Sequence, residues 1–443
     1  MYLRLLPERF RKAGPIGTFL IFLSFFCLAQ SAKIKEIYQE GEDFFEANDY
    51  KEAIYDFLKV EQKGYKNANL HYKIGVCYLN ISSDESKAVP YLEDAVKHIT
   101  PKYRAKDIDE KRTPLHSLFY LGNAYRFSNQ LDSALNKYRK FINSPKYQGT
   151  YNVDIVEKEI KVCERAKIIQ DAPINVTWIN LGHDINTHLS ETNVVISGDE
   201  NVLAYLTGLK FYNAVYVSHK VDNVWLAPEN INPQIRSDGD FYPTALSFDG
   251  KELYLVKTNQ NNCDIYVSNY IDGRWSVPQP LNANINTSKD ETSAAISRDG
   301  KTLYFSSNRH GGQGGFDIYR SVRIFGNNWG KAENLGKNIN TNEDETTPSI
   351  SSDGKCLYFS SKGQFNMGGF DIFYSVLQSD NQWSIPFNIG FPVNTTTDNI
   401  GFQIIGDGKV GYISRVAQNS FGKEDIYKVE IHSKFSQKTV VKK

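Results

Sequence analysis

An Asp-Gly pair recurs along the second half of this 443-residue chain, at Asp249-Gly250, Asp299-Gly300, Asp353-Gly354 and Asp407-Gly408. Asp199-Glu200 is a degenerate first copy, and the intervals are 50, 50, 54 and 54 residues. Asp-Gly between alternating apolar runs, as in TSAAISRDGKTLYFSS, predicts a type I′ hairpin with φ > 0 at both central residues. Asp-Ile-aromatic follows at Asp264-Ile265-Tyr266, Asp317-Ile318-Tyr319, Asp371-Ile372-Phe373 and Asp425-Ile426-Tyr427, with Asn213-Ala214-Val215-Tyr216 in the first unit. Trp225, Trp275, Trp329 and Trp383 come next, each leading a short strand toward Asn-Leu/Ile. Four short strands in about 50 residues make a propeller blade. The last unit lacks its Trp strand, and Asn180–Thr187 (NLGHDINT) echoes Asn334–Thr341 (NLGKNINT). The segment Ile174–Thr187 is therefore expected to complete the blade ending at Ile431, closing a five-bladed ring without a free edge.

Upstream the apolar period is helical, and it also repeats. Gly41, Gly75 and Gly122 are each followed three residues later by Phe44, Tyr78 and Tyr125. Ala53, Ala88 and Ala134 open a second helix, with Phe57, Leu92 and Tyr138 four residues on, and Pro101 and Pro145 close the second and third units. A glycine at each spot implies that the two helices of a unit cross closely there. Gly41 to Gly75 is 34 residues and Gly75 to Gly122 is 47; the excess, Lys102–Thr113, reads as a longer helix end or loop. Val153–Gln170 reads as one more amphipathic helix capping the array. The expected organisation is a leader at 1–32, helical repeats at 33–171, a propeller at 172–431 and a basic tail at 432–443.

The helical units resemble the tetratricopeptide repeat, so the fold class is an α-solenoid followed by an all-β five-bladed propeller. That resemblance implies a concave, protein-binding groove lined by Tyr38, Phe45, Tyr72, Asn80, Phe119, Asn123, Arg126 and Phe127. The blades resemble the TolB-type propeller family through S-x-D-G-K-x-L-Y-F (Ser297–Phe305, Ser351–Phe359) and G-G-F-D-I-Y/F (Gly314–Tyr319, Gly368–Phe373). The order of leader, helical repeats and propeller is similar to periplasmic envelope proteins of Bacteroidetes in the type IX secretion machinery. Those proteins continue into an OmpA-like peptidoglycan-binding domain, which is not seen after the propeller here.

Arg4, Arg9, Arg11 and Lys12 before an apolar run from Ile16 to Ala29 and small residues at 29–32 read as a cleaved secretory signal. The expected location is the periplasm, with attachment to the outer membrane through a partner and no transmembrane span after cleavage. Residues 172–431 carry 20 basic and 28 acidic side chains, which argues against nucleic acid as a partner. Cys77, Cys163, Cys263 and Cys356 form no C-x-x-C pair and read as small apolar residues. No G-x-S-x-G, H-E-x-x-H or phosphate-loop signature occurs. The acidic runs at Asp238 and Asp240, Asp290-Glu291 and Glu343-Asp344-Glu345 are the candidates for chemistry, yet they recur from blade to blade and read as structural, as do the wedge-like tryptophans. The expectation is a scaffold for envelope or secretion proteins, not an enzyme, with no cofactor or metal; the alternative is a propeller that binds or cleaves glycans.

Overall fold

A computed structural model describes residues 32–81, 83–144, 152–259 and 262–432. The leader up to residue 31, Pro145 and the tail from 433 lie outside the described residues. The chain divides into two compact units, 1–160 and 161–443.

The helical unit comprises α1 (32–46), α2 (Tyr50–Gln62), α3 (Ala68–Leu79), α4 (Ala88–Ala95), α5 (Ser117–Phe127), α6 (Leu131–Ile142) and the start of α7 (Val153–Gln170). Asp49 and Asn67 cap α2 and α3, accepting from the backbone N–H of Glu52 and Leu70. A Cβ on Gly41 would press on the Phe57 ring, one on Gly75 on Leu92, and one on Gly122 on Tyr138. Each glycine thus lets the first helix of a pair approach the large residue of the second. Buried Ala53, Ala88 and Ala134 sit in the same seams. The unit's core is Tyr38, Phe57, Leu70, Ile74 and Cys77 with Ile54 and Val60. The second half of α7 belongs to the other unit, so the boundary falls inside the expected cap rather than after it.

The described residues of the second unit build five antiparallel sheets. The first four start with Glu191–Ile196, Phe241–Leu246, Glu291–Ile296 and Glu345–Ile350, and each continues outward through three further strands in chain order; in the first three a fifth short strand (Glu229–Asn230, Gln279–Pro280, Glu333–Asn334) also pairs with the third. The fifth runs Gln403–Ile405, Val410–Arg415, Asp425–Ile431, and its outer strand is Val176–Asn180, paired from Val176 with Ile431 to Asn180 with Tyr427. One apolar cluster fills each seam between neighbouring blades. The closing seam packs Leu203 and Tyr205 of the first blade against Ile405, Tyr412 and Ile426 of the fifth. Trp275, Trp329 and Trp383 are buried in the seam with the preceding blade, and half-buried Trp225 takes the same place in the closing seam.

The Asp-Gly turns differ from expectation. Only the glycine has positive φ (68° at Gly250 and Gly300, 71° at Gly354, 94° at Gly408), so these are not type I′ turns. In the first three the serine two residues before the aspartate explains why; Ile405 takes that place before Asp407. Ser247 Oγ donates to Asp249 Oδ1 (2.7 Å), while the N–H of Glu252 donates to Ser247 Oγ (2.9 Å), which builds a longer loop around one left-handed residue. Ser297 and Ser351 repeat the pattern. In the degenerate copy Glu200 holds that left-handed position (φ 58°), and its carboxylate accepts from Tyr412 Oη (2.8 Å) and Lys428 Nζ (3.1 Å) across the closing seam. Although burial opposes it, these two donors keep Glu200 below the usual glutamate range.

Candidate functional site

Three of the eight residues expected to line a groove on the helical unit are buried. Tyr38 and Tyr72 are 2 % and 6 % exposed, and Arg126 is buried against Glu159 (3.0 Å) with its guanidinium over half-buried Phe127. Tyr72 Oη lies 2.8 Å from His116 Nε2. Half-buried Phe119 packs on the rings of Tyr138 and Phe141 within its own helix pair, and Asn123 Oδ1 accepts from Tyr138 Oη (2.7 Å). Exposed Asn80 turns back to the carbonyl of Val76 (2.8 Å), and Phe45 is half-buried. Tyr38, Tyr72 and Arg126 are therefore interior residues, a correction to their assignment as groove lining.

What covers Tyr38 and Tyr72 is the insert. Residues 102–113 form no helix; they cross the face of α1 and α3 as a strap. Tyr103 Oη donates to Asn69 Oδ1 (2.6 Å), Asn69 Nδ2 to Tyr38 Oη (3.2 Å), and Tyr65 Oη to the carbonyl of Ile108. Lys106 pairs with Glu46 (2.7 Å) and Lys35 with Asp109 (3.6 Å). Within the strap, buried Glu110 accepts from the side chain and backbone N–H of Arg112 and from Arg104; the Arg112 bond chiefly holds its pKa down at about 2. Beneath lies a second ion pair, Glu42 with Lys73, both 2 % exposed, with the ammonium over the rings of Tyr38, Phe45 and Phe57.

In the propeller, repeated acids serve the blades. Glu191, Glu291 and Glu345 begin their inner strands fully buried. Glu345 accepts from the N–H and hydroxyl of Thr341 (both 2.7 Å) and from Ser361 Oγ (2.6 Å). Glu291 repeats this with Thr287 and Ser307 and adds Arg309 (3.1 Å). Burial pushes all three above the usual glutamate range. Asp317, Asp371 and Asp425 are likewise buried, accepting from backbone N–H groups of the preceding glycine loop and from Asn334, Asn388 and Asn180 (2.7–2.9 Å). Among the acidic runs, Asp240 pairs with Lys257 (3.1 Å), Asp290 accepts from the N–H of Cys263 (3.1 Å), and Asp344 pairs with Lys362 (3.1 Å). No cluster of three potential metal ligands occurs among the described residues.

The fifth blade breaks the repeat. Asn399 stands where Glu291 and Glu345 begin their strands, accepting from the N–H of Thr395 (2.7 Å). Arg415 faces Asp425 in the register that puts Ser307 opposite Asp317 and Ser361 opposite Asp371. Its guanidinium lies 4.1 Å above the Trp178 ring, half-buried, and burial lowers its pKa. Sequence reading missed both residues; the place of Arg415 is held by Thr207, Lys257, Ser307 and Ser361 in the first four blades, so the repeat pattern alone does not single it out.

The chain matches no protein-family model and no curated protein. Among solved structures it is similar to TolB of Acinetobacter baumannii, at 14 % identity over 66 % of this chain and 71 % of that one, with a TM-score of 0.37. It is also similar to the catalytic domain of a GH62 α-L-arabinofuranosidase of Coprinopsis cinerea, at 10 % identity over 59 % and 98 %, TM-score 0.40. A gluconolactonase of Xanthomonas campestris matches at 12 % identity over 59 % and 92 %, TM-score 0.32. At these identities the likeness concerns the fold alone. Because the matched proteins include enzymes, the expectation that this chain is not an enzyme is withdrawn.

Proposed function

We propose that this chain is a partner-binding protein of the bacterial cell envelope, acting beside secretion proteins of the type IX class. The observation that carries the reading is a set of exposed apolar side chains near the outer end of four consecutive blades. Val221 and Val224, Ile271, and Ile324 and Phe325 stand beside the turn that precedes Trp225, Trp275 and Trp329, and Ile385 stands two residues past Trp383, with Phe325 and Ile385 at 69 % and 73 % exposure. Water-exposed apolar sets of this size are what a protein partner covers. Domain order supports the cellular setting, being that of envelope proteins such as PorE. No helix among the described residues is long and apolar enough to cross a membrane. The test is affinity purification from cross-linked native envelope, using wild type and the Phe325→Asp, Ile385→Asp double variant. Stoichiometric recovery of envelope or secretion proteins, lost in the variant, is the expected result; a lone monomer in both would overturn the reading.

A further inference from the structure

Sheltered cations of the propeller have carboxylate partners almost throughout: Arg309 has Glu291, Lys428 has Glu200, Lys257 has Asp240 and Arg323 has Glu252. Arg415 differs. Among the described residues it joins no ion pair and its side chain donates no hydrogen bond, and Tyr427 is its one electrostatic neighbour of note. One face of the guanidinium is held by Trp178, whose own ring meets Tyr427 edge-on at 6.4 Å between centroids. The same molecule shows what such a stack holds. Arg323 lies 4.7 Å above Trp329 and grips Glu252 with both terminal nitrogens, at 2.8 and 2.7 Å.

We propose that Arg415 on Trp178 is a receptor for a carboxylate carried by an acidic segment of a protein partner. This deepens the partner-binding reading and rests on it for the class of ligand. Three observations converge. The position varies along the ring, with Thr207, Lys257, Ser307 and Ser361 in the first four blades, and of the five residues there Arg415 alone offers a planar guanidinium. The stack fixes a planar fork that matches a carboxylate, which lowers the cost of ordering it on binding. Arginine on tryptophan beside tyrosine is also the side-chain combination that dominates protein interfaces. The surplus of acid in 172–431 repels an anion at long range, so recognition here works at contact distance and its salt dependence is shallow.

Calorimetric titration of the full-length protein with hexaglutamate, hexaglutamine and trigalacturonate tests the site. Hexaglutamate is expected to bind and hexaglutamine not. Arg415→Gln should weaken hexaglutamate about tenfold or more, the loss of a charge-assisted bidentate contact. Arg415→Lys, which keeps the charge and loses the fork, should weaken it nearly as much, with melting temperatures unchanged in both. Equal affinity in wild type and Arg415→Gln, or no binding by wild type, would overturn the proposal, as would binding of trigalacturonate in preference to hexaglutamate. Arg415→Gln that still recovers envelope proteins in the purification above sinks this site and leaves the broader reading standing.

Discussion

His116 shows how a buried polar residue couples this protein to pH. Burial pulls its pKa down to about 4, from 6.5, and its Nε2 meets the Tyr72 hydroxyl. The folded state therefore keeps it neutral where the unfolded chain has begun to take up a proton. Its contribution is fully present above pH 6.5, and it is lost progressively as pH falls toward 4. A urea titration of the helical unit at pH 7.5, 6 and 5 should show stability falling over that window, and His116→Phe should flatten the slope. Unchanged slopes in the variant would mean that another group titrates. The buried glutamates make a second case. Glu345→Ala strips an acceptor from the Thr341 N–H, the Thr341 hydroxyl and the Ser361 hydroxyl, which should cost about 2–4 kcal/mol in chemical denaturation. Glu345→Gln should cost less, because Asn399 already fills the equivalent place with an amide that accepts from Thr395 N and donates to Thr395 Oγ1 (3.1 Å). Equal losses for the two variants would refute this account.

At the scale of elements, what was legible in the sequence was what repeats. The glycine and its large partner, sixteen or seventeen residues on, were visible as a spacing, and the structure puts each Cβ position against that partner. The tryptophan wedges followed from the same regularity. The strap was not legible, because its partners Tyr38, Tyr65 and Asn69 stand 34 to 65 residues away and its charged composition reads as solvent-facing. That is also why Tyr38 and Tyr72 were misplaced as groove residues: a family pattern gives a residue's place on its helix, but not what an insertion lays over it. The turns failed for a related reason. Asp-Gly alone suggests type I′, whereas Ser at two residues before redirects the hydrogen bonds and lengthens the loop. Tyr103 tests the strap. Tyr103→Ala removes the bond to Asn69 Oδ1 and the ring contact with Tyr72 (6.2 Å), and amide exchange over residues 102–113 should accelerate at least tenfold with α1 and α3 little changed. Exchange that stays slow would show that the Lys106–Glu46 and Lys35–Asp109 pairs hold the strap without it.

For the whole molecule the decisive contact is the one between its most distant parts. Val176–Asn180 supplies the outer strand of the fifth blade, and Asn186 clamps Ile426, accepting from its N–H (2.8 Å) and donating to its carbonyl (3.0 Å). Without 172–187, the strand Asp425–Ile431 becomes an open edge, and the closing seam loses buried Ile185. The safe cut site lies ahead of α7. Val162, Cys163, Ala166 and Ile169 of α7 are buried and Arg165 lies 5.5 Å from the centroid of Phe365, so α7 belongs with whatever is kept. A truncated chain starting at Val153 should melt cooperatively and remain monomeric. One starting at His188 should melt well below it and associate through its free edge, while added peptide 172–187 should restore part of the loss. Scanning calorimetry with sedimentation velocity reads both effects. Equal melting temperatures for the two truncations would mean that the apolar seams close the ring unaided, with the paired strand adding nothing to its stability.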